Sequence, residues 1–405
     1  MKSTDSTSPH PTKTRTARPR ILLCWGYNRK AWARPFELLK DEFDFHFLYY
    51  RCQSEEKDIY TTCARVFWND FRDAHHLLDD VSPQKVVFMS INSGHSVALN
   101  LACQSRGIPT YILQHGLTRT LSEYLSTRPK YSGQVTHSKT RSRASTLYFL
   151  LRSLALVQAS QLPQLLAFWA AQMKLGYWTA QRWFGYRGTQ PNFYICYSYQ
   201  NAAIYRSLDS TSSARTFIIG IPEFSDLFHR EPLRARGEYY LLIDQPWAEN
   251  QFHEAIASKD DMLKMYFTLA EYCHARNRKL IVKLHPESYD CNWLPYHPTI
   301  EWVRDTDLFK LLSEADAVFG SNSTLMLPAL HLKPCYLIDA KPNTFSQKVR
   351  SLGLAFGCEL REISVEKIRF PNFDPSSAAH RYFSEKFLGQ TNGESIRLLA
   401  DILKG

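Results

Sequence analysis

The sequence lacks the short motifs that mark several large classes of protein. It has no H-E-x-x-H pair, no G-x-x-x-x-G-K-[ST] loop and no G-x-G-x-x-G fingerprint, which counts against an ATPase or an ordinary dehydrogenase. Its nine cysteines are scattered, odd in number and contain no C-x-x-C. This pattern counts against a disulfide framework and a structural zinc site, and it fits a reducing cytoplasm.

The beginning of the sequence also lacks an apolar segment. MKSTDSTSPHPTKTRTARPR carries positive charges with no hydrophobic run after them, so the pattern is not that of a secretory signal. We expect residues 1–20 to be a disordered basic tail, and the folded chain to begin with the apolar run at 21–28. With 405 residues and 44% hydrophobic content, the chain is long enough for two domains.

Acidic residues are missing from one long stretch of the chain. None occurs between Glu123 and Asp209, and the whole chain has a formal net charge of +10. Such a field of one sign predicts an anionic partner, namely membrane lipid, a phosphorylated substrate or nucleic acid, or else a basic face turned to solvent. The basic residues of the stretch are Arg128, Lys130, Lys139, Arg141, Arg143, Arg152, Lys174, Arg182, Arg187 and Arg206.

Residues 153–173, inside the same stretch, have no charged side chain. A helix of this length would be about 30 Å long, but four glutamines, two serines and Pro163 argue against a membrane span. Two interpretations stay open. One is an amphipathic interfacial segment flanked by Arg152 and Lys174, and the other is a pair of core helices broken at Pro163.

Strand-like runs alternate with helix-like runs in both halves, which predicts an α/β fold with two Rossmann-like domains facing a cleft. The first domain is expected over 21–228, with an insertion around 130–190, and the second over 237–405. The predicted strands are 20–27, 43–50, 85–90, 110–116, 192–198, 215–222, 239–246, 279–286, 299–303, 316–321 and 335–339. The predicted helices include 32–41, 95–106, 259–276, one from Leu308 and one from about Thr324.

Ligands of open parallel sheets bind outside the carboxyl ends of the strands, so polar residues at predicted strand ends are the site candidates. In the first half these are Gln114, His115 and Gly116. Glycine lets the backbone turn sharply after the strand, and the His115 imidazole is a candidate general base for a sugar hydroxyl. Glu123 is a second candidate base, and a loop histidine bonded to backbone is the alternative for His115.

In the second half a predicted strand ends in Lys283, His285 and Pro286, followed by Glu287. Proline holds the preceding residue extended, so His285 is presented rigidly. We expect its imidazole to bind a phosphate oxygen and to stabilise a nucleotide leaving group. Lys283 and Glu287 are candidate ligands of the ribose or the phosphate.

A second candidate phosphate site is the turn between a predicted strand and a predicted helix. Hydroxyl groups and free N–H groups at a helix start bind anions, although serine and threonine are also common N-caps. The residues of this turn are Gly320, Ser321, Asn322, Ser323 and Thr324.

The Asp305–Asp307 segment resembles a D-x-D metal site. Asp307 is more simply the N-cap of the helix that follows, and we predict that the protein needs no metal and no other cofactor.

These motifs together resemble those of bacterial GT-B glycosyltransferases of the capsule and surface-polysaccharide type. The resemblance rests on YILQHG at 111–116, FIIGIPEFSDLF at 217–228, KLHPE at 283–287 and the stretch 307–339. Sialyl- and polysialyltransferases are similar in their HP motif, whose histidine contacts the phosphate of a cytidine nucleotide, and in a later serine-rich turn. The matching residues here are His285 with Pro286, and Ser323 with Thr324 or Ser321.

CDP-glycerol glycerophosphotransferases are similar in their HG, HP and paired-serine motifs. The chain departs from both families around His115. Gln114 and Leu117 replace the tryptophan and threonine that flank HG in the CDP-glycerol enzymes, and the acidic pair of the sialyltransferases is absent there.

The resemblance implies a glycosyltransferase that uses a CMP- or CDP-activated donor, such as CMP-sialic acid or CMP-Kdo, with UDP-sugars as the second choice. The implied acceptor is a surface polysaccharide or a lipid-linked glycan. His115 would take the acceptor proton, while His285 and the turn at 321–324 would neutralise the departing phosphate. The expected location is cytoplasmic, peripheral at the inner face of the membrane and in contact with its anionic surface, without nucleic acid.

Two other functions remain open. A UDP-sugar 2-epimerase would use the same two-domain frame, and the segment at 220–227 resembles the interdomain region of such enzymes. A membrane-associated scaffold without catalytic activity would use the basic stretch alone.

Overall fold

The structure is a computed structural model, and it describes residues 18–25, 30–49, 63–115, 139–155, 160, 162–175, 177–209, 215–229, 237–248, 257–304 and 306–405. The described residues form two parallel β-sheets with helices on both faces of each sheet. The predicted α/β fold class, with two Rossmann-like halves, is therefore confirmed.

The first sheet has seven parallel strands in the order β3-β2-β1-β4-β5-β6-β7. Its strands are β1 (Arg20–Cys24), β2 (Asp44–Tyr49), β3 (Ala64–Phe67), β4 (Lys85–Phe88), β5 (Thr110–Leu113), β6 (Phe193–Cys196) and β7 (Thr216–Ile218). The helices in this part of the chain are α1 (Lys30–Leu38), α2 (Ala74–Val81), α3 (Gly94–Ser105), α4 (Lys139–Ala155), α5 (Leu162–Leu175), α6 (Tyr177–Phe184), α7 (Tyr199–Asp209) and α8 (Ser225–His229).

The second sheet has six parallel strands in the order β10-β9-β8-β11-β12-β13. Its strands are β8 (Tyr239–Ile243), β9 (Lys279–Lys283), β10 (Ile300–Val303), β11 (Ala315–Gly320), β12 (Cys335–Asp339) and β13 (Ala355–Glu359). The helices are α9 (Lys259–His274), α10 (Leu308–Glu314), α11 (Met326–Leu332), α12 (Thr344–Ser351), α13 (Ala378–Phe383) and α14 (Ser395–Lys404).

Alternation along the strands places apolar side chains on both faces of each sheet. In β1, Leu22 belongs to the core under α2 and α3, whereas Ile21 and Leu23 belong to the core on the opposite face. All of these side chains are fully buried. Strands buried on both faces are continuous apolar runs, which is why the sequence revealed most of them.

Each sheet has one point where the strand order reverses. In the first sheet the reversal lies between β1 and β4, and in the second it lies between β8 and β11. Helices leave in opposite directions at such a point, and this opens a crevice at the carboxyl ends of the two strands. The carboxyl ends of β8 and β11 are Ile243 and Gly320, so the residues that follow them line the crevice of the second sheet.

Helices α4, α5 and α6 lie within the range predicted as an insertion, and one side of them is core. Phe149, Leu165 and Phe168 are buried in the core of the first sheet. The same helices expose large apolar side chains on their outer side, among them Trp183 and Phe184. One face is therefore core, and the other is an exposed apolar surface. Among the described residues, no helix is both long and apolar enough to cross a membrane.

The chain returns to the first sheet at its end. Leu399 and Leu403 of α14 are fully buried in the core that contains Ile21 and Leu23 of β1. The division into domains at 21–228 and 237–405 stays a prediction, and the core contacts of α14 belong to the first sheet.

Candidate active site

A buried carboxylate organises the carboxyl edge of the second sheet. Asp244 follows β8 directly and is 3% exposed. It accepts hydrogen bonds from the Tyr266 hydroxyl (2.8 Å), the Ser288 hydroxyl (3.0 Å) and the backbone N–H of His285 (3.3 Å). These bonds fix the turn that contains His285 against the end of the neighbouring strand β8.

The same turn determines which ring nitrogen of His285 carries the proton. The backbone N–H of Glu287 donates to Nδ1 of His285 at 3.2 Å. An Nδ1 that accepts a hydrogen bond leaves the proton of the neutral imidazole on Nε2. Nε2 of His285 is therefore a hydrogen-bond donor, as the binding of a phosphate oxygen requires.

The turn after β11 lies on the other side of β8. Ser321 is 5% exposed, and its hydroxyl donates to Asp339 at the end of β12 (3.4 Å). Asp339 is fully buried and also accepts from Asn343, from Ser346 and from Arg350. The Ser321 hydroxyl thus connects the turn to a buried carboxylate that three other side chains hold in position.

The turn residues that follow Ser321 are accessible from outside. Asn322, Ser323 and Thr324 are partly exposed. Gly320 has no side chain, and this leaves room for Met326, whose sulfur would lie 2.3 Å from an added Cβ.

The strand order places the two predicted phosphate-binding elements on either side of β8. β9 and β11 are the two neighbours of β8. Adjacent strands lie about 4.8 Å apart, so the ends of β9 and β11, which lead into His285 and Ser321, are about 10 Å apart. Lys283 is half-buried at the end of β9, and Pro286 and Glu287 are exposed. The turn after β11 therefore borders the reversal point of the second sheet, and the turn after β9 lies one strand away from it.

In the first half, His115 lies two residues beyond β5. The preceding Gln114 is fully buried, and its side-chain oxygen accepts from the backbone N–H of Tyr197, which follows β6. The His115 ring packs edge-on against Trp25 at 6.0 Å between centroids. Its side chain keeps 19% exposure, so the imidazole remains accessible at the edge of the sheet.

Glu223 is the acidic partner of His115. It lies in the turn after β7, and its Oε1 is 3.9 Å from Nδ1 of His115. The Tyr197 hydroxyl donates to the same oxygen at 2.7 Å. Burial raises the pKa of Glu223 to about 7, and the hydrogen bond from Tyr197 opposes that rise. The carboxyl group therefore titrates near neutral pH, beside the His115 imidazole.

Some sequence predictions lie outside the described residues. Gly116, Glu123 and Asp305 belong to this group. Asp307 is the N-cap of α10 and accepts from the backbone N–H groups of Phe309 and Lys310, as the simpler interpretation expected. In the part of the chain that the structure describes, no three His, Cys, Asp or Glu residues are grouped to hold a metal ion. That the protein needs no metal stays a prediction.

Three carboxylates at the carboxyl edges of the two sheets were not predicted from the sequence, namely Glu223, Asp244 and Asp339. Asp244 directly follows its strand, Asp339 is the last residue of its strand, and Glu223 comes five residues after β7. The rule that selected the histidines, a polar residue at the carboxyl end of an apolar run, would have selected these carboxylates as well.

Comparison with known proteins supports the fold. No protein-family model and no curated protein matches this sequence. Among solved structures, the calicheamicin glycosyltransferase CalG4 has 13% identity and a TM-score of 0.53 over 96% of this chain and 98% of its own. A structure of the wall teichoic acid polymerase TagF soaked with CDPG has 11% identity and a TM-score of 0.52 over 96% of this chain and 88% of its own.

The glycosyltransferase SnogD from Streptomyces nogalater has 12% identity and a TM-score of 0.51 over 96% of this chain and 99% of its own. These proteins are GT-B glycosyltransferases, so the chain has the GT-B fold.

Proposed function

We propose that the protein is a glycosyltransferase that moves a sugar from a nucleotide-activated donor to a glycan or lipid-linked acceptor. One observation carries the proposal: a histidine whose Nε2 is a donor and a hydroxyl-lined turn follow the two strands that flank β8, next to the crevice between β8 and β11. Donor groups at this position bind the phosphates of nucleotides in doubly wound sheets. The GT-B fold is in keeping with this proposal.

The donor we favour is a CMP- or CDP-activated sugar, with UDP-sugars as the second choice. The preference rests on the resemblance of the HP and serine motifs to enzymes that use cytidine nucleotides. TagF, which shares the fold, has been soaked with CDPG. We propose that His285 and Ser321–Thr324 hold the donor phosphates without a metal.

His115 and Glu223 are the proposed base pair on the first sheet. His115 would accept the proton of the acceptor hydroxyl as its oxygen attacks the anomeric carbon and the bond from that carbon to the donor phosphate breaks. The Glu223 carboxylate, 3.9 Å from Nδ1, would stabilise the imidazolium that forms. The electron pair of the broken bond stays on the phosphate, where the His285 N–H would bind it.

The acceptor we propose is a surface polysaccharide or a lipid-linked glycan, with the protein peripheral at the inner face of the cytoplasmic membrane. The support is the exposed apolar side of α4, α5 and α6, which lies within the stretch that has no acidic residue.

Thermal melting with CMP, CDP, UDP and GDP tests the donor site. A nucleotide at about a hundred times its Kd stabilises the folded state by about 2.7 kcal/mol. We expect cytidine nucleotides to raise the Tm and His285→Ala to abolish the rise. His115→Ala should keep the rise but lower the transfer rate by about 10²- to 10⁴-fold, because the base is not part of the donor site.

His297→Ala is the matched control. His297 also precedes a proline, and its Nδ1 also accepts from a backbone N–H two residues later, that of Thr299. It precedes β10, however, and therefore lies at the opposite edge of the sheet. Loss of the nucleotide response in His297→Ala, or its survival in His285→Ala, contradicts the proposed site.

A further inference from the structure

The outer side of α5 and α6 combines exposed apolar and basic side chains. Among the described residues, seven of the thirteen exposed large apolar side chains lie between 147 and 184, and four of these seven lie on α5 and α6. Trp183 is 76% exposed and Phe184 is 52% exposed. Soluble surfaces rarely concentrate such residues without a partner that covers them. We call the following set the docking face: Leu166, Lys174, Leu175, Arg182, Trp183, Phe184 and Arg187.

The charge of the docking face restricts the partner. Lys174, Arg182 and Arg187 are all exposed, and the sequence has no acidic residue between Glu123 and Asp209. Aromatic and aliphatic side chains interleaved with lysine and arginine are typical of surfaces that lie at the boundary between lipid headgroups and acyl chains. Charge complementarity therefore favours an anionic bilayer.

Two cavities beside the docking face share one arginine. The larger, of about 660 Å³, is lined by Gln164 and Ala167 of α5 and by the segment from Phe184 to Arg187. The smaller, of about 340 Å³, is lined by Arg187 together with Arg215 and the amides of Gln104, Gln190 and Asn192. Arg187 therefore borders both cavities, and the smaller one contains two guanidinium groups.

The two guanidinium groups are only partly neutralised by the protein. Asp209 attracts Arg215, but burial raises the pKa of Asp209 to about 7, so its charge is incomplete at neutral pH. Oδ2 of Asp209 and Oε1 of Gln181 are buried without a hydrogen-bond partner. Guanidinium groups bind phosphate oxygens in a bidentate manner, and the cavity offers two of them.

We infer that the docking face binds an anionic lipid bilayer, and that Arg187 and Arg215 hold a lipid phosphate in the smaller cavity. The inference rests on the proposed location at a membrane, and it names the surface and the lipid chemistry that this location requires. It makes no use of His115 or His285, so it can fail or hold independently of the transfer reaction.

Co-sedimentation of the full chain with vesicles tests the inference. We expect binding to vesicles of phosphatidylcholine mixed with phosphatidylglycerol, release by high salt, and little binding to phosphatidylcholine alone. The double variant Trp183→Ser/Phe184→Ser should weaken the apparent affinity by at least about tenfold. Arg187→Gln should weaken it by about fivefold, because each basic residue near the surface contributes about 1 kcal/mol.

Tyr296→Ser and Lys264→Gln are the matched controls, since they remove one exposed aromatic and one exposed cation from the second half of the chain. Both should bind vesicles like the parent protein. A parent protein that stays in the supernatant, or a Trp183→Ser/Phe184→Ser variant that binds like Tyr296→Ser, overturns the docking face. An Arg187→Gln variant that binds like Lys264→Gln overturns the lipid-phosphate assignment.

Thermal melting is a second measurement on these variants. Their melting temperatures should match that of the parent, because the replaced side chains are exposed, and their nucleotide-induced rise in Tm should persist. Loss of vesicle binding with an intact nucleotide response therefore concerns the docking face alone, whereas loss of the nucleotide response concerns the proposed function.

Discussion

At the scale of single residues, the most informative group is Glu223. Its carboxyl is nearly buried between the His115 ring and the Tyr197 hydroxyl, and the pKa rises to about 7. A buried carboxyl that titrates near neutral pH is expected where a protein must move protons. It also makes the stability of the folded chain depend on pH.

Glu223→Gln tests this dependence. The folded carboxyl has a pKa of about 7, whereas the ordinary pKa of a glutamate carboxyl is 4.5. Between these values the folded chain holds a proton that the unfolded chain has lost, so this contribution to stability is present below pH 4.5 and lost as the pH rises through 7. In Glu223→Gln the neutral amide can still accept the hydrogen bond from the Tyr197 hydroxyl. Because it does not ionise, it does not lose stability as the pH rises.

We expect the free energy of unfolding of Glu223→Gln, relative to the parent, to rise by about 3 kcal/mol between pH 4 and pH 8. Urea unfolding at the two pH values measures it. An equal difference at both pH values would show that Glu223 ionises in the folded chain as it does in a free peptide.

Sequence predicted the donors of the site better than the groups that position them. His285 and Ser321 follow apolar runs, and the strand-end rule selects them directly. The role of Asp244 depends on Tyr266 and Ser288, which come from different elements and are separated from it by 22 and 44 residues. Such contacts exist only once the fold is formed, and a local pattern cannot reveal them.

At the scale of elements, close backbone contacts at Gly389 and Gly220 fix the place where the chain returns from the second half to the first sheet. Gly389 has φ of +73°, and an added Cβ would lie 2.1 Å from the carbonyl oxygen of Tyr197. Gly220 has φ of +80° and would place a Cβ 2.5 Å from the carbonyl oxygen of Gln390. Backbone from the end of the chain therefore contacts the carboxyl edge of the first sheet, near Tyr197 of the proposed base cluster.

Gly389→Ala should destabilise the protein far more than Gly353→Ala. Gly353 has the same φ of +73°, but nothing lies within 4 Å of an added Cβ, so only the conformational cost of about 1 kcal/mol remains. At Gly389 the close backbone contact adds roughly 2 kcal/mol or more. Chemical denaturation measures the free energy of unfolding of both variants. Equal losses would mean that the Tyr197 carbonyl does not lie against Gly389.

Most strands have buried apolar side chains on both faces and were predicted. Two strands with fewer buried apolar side chains were missed. β3 and β13 are edge strands, and several of their residues are exposed or only partly buried. An edge strand needs fewer apolar residues, so ARVF and AFGCE contain no continuous apolar run. The predicted strands also extended too far, because the polar residues after β5 and β9 belong to the site.

At the scale of the whole molecule, α14 joins the two halves. Its chain leaves the second core, and Leu399, Ala400 and Leu403 complete the face of the first sheet that also contains α1. An amphipathic pattern indicates that such a helix has a buried face, but it does not indicate which sheet covers that face. The sequence therefore assigned α14 to the second half by proximity along the chain.

Leu399→Ala should loosen the first sheet selectively. Deleting a fully buried leucine side chain costs about 2–5 kcal/mol, and here the loss falls on the core of β1. We expect faster hydrogen exchange at residues 21–24 and little change at 241–243. Leu312→Ala, equally buried in the second core, should give the reverse pattern, and acceleration in both sheets by either variant contradicts separate cores.

The position of α14 also bears on how the protein is made. During synthesis the strands of the first sheet leave the ribosome long before residues 395–404 have been translated. The face of that sheet that α14 covers therefore stays exposed while the second half is synthesised. Domains usually fold in the order in which they emerge. Here the first half emerges first, but its core is completed last. Because of this exposed apolar face, we expect nascent chains of this protein to depend on chaperones until α14 has been translated.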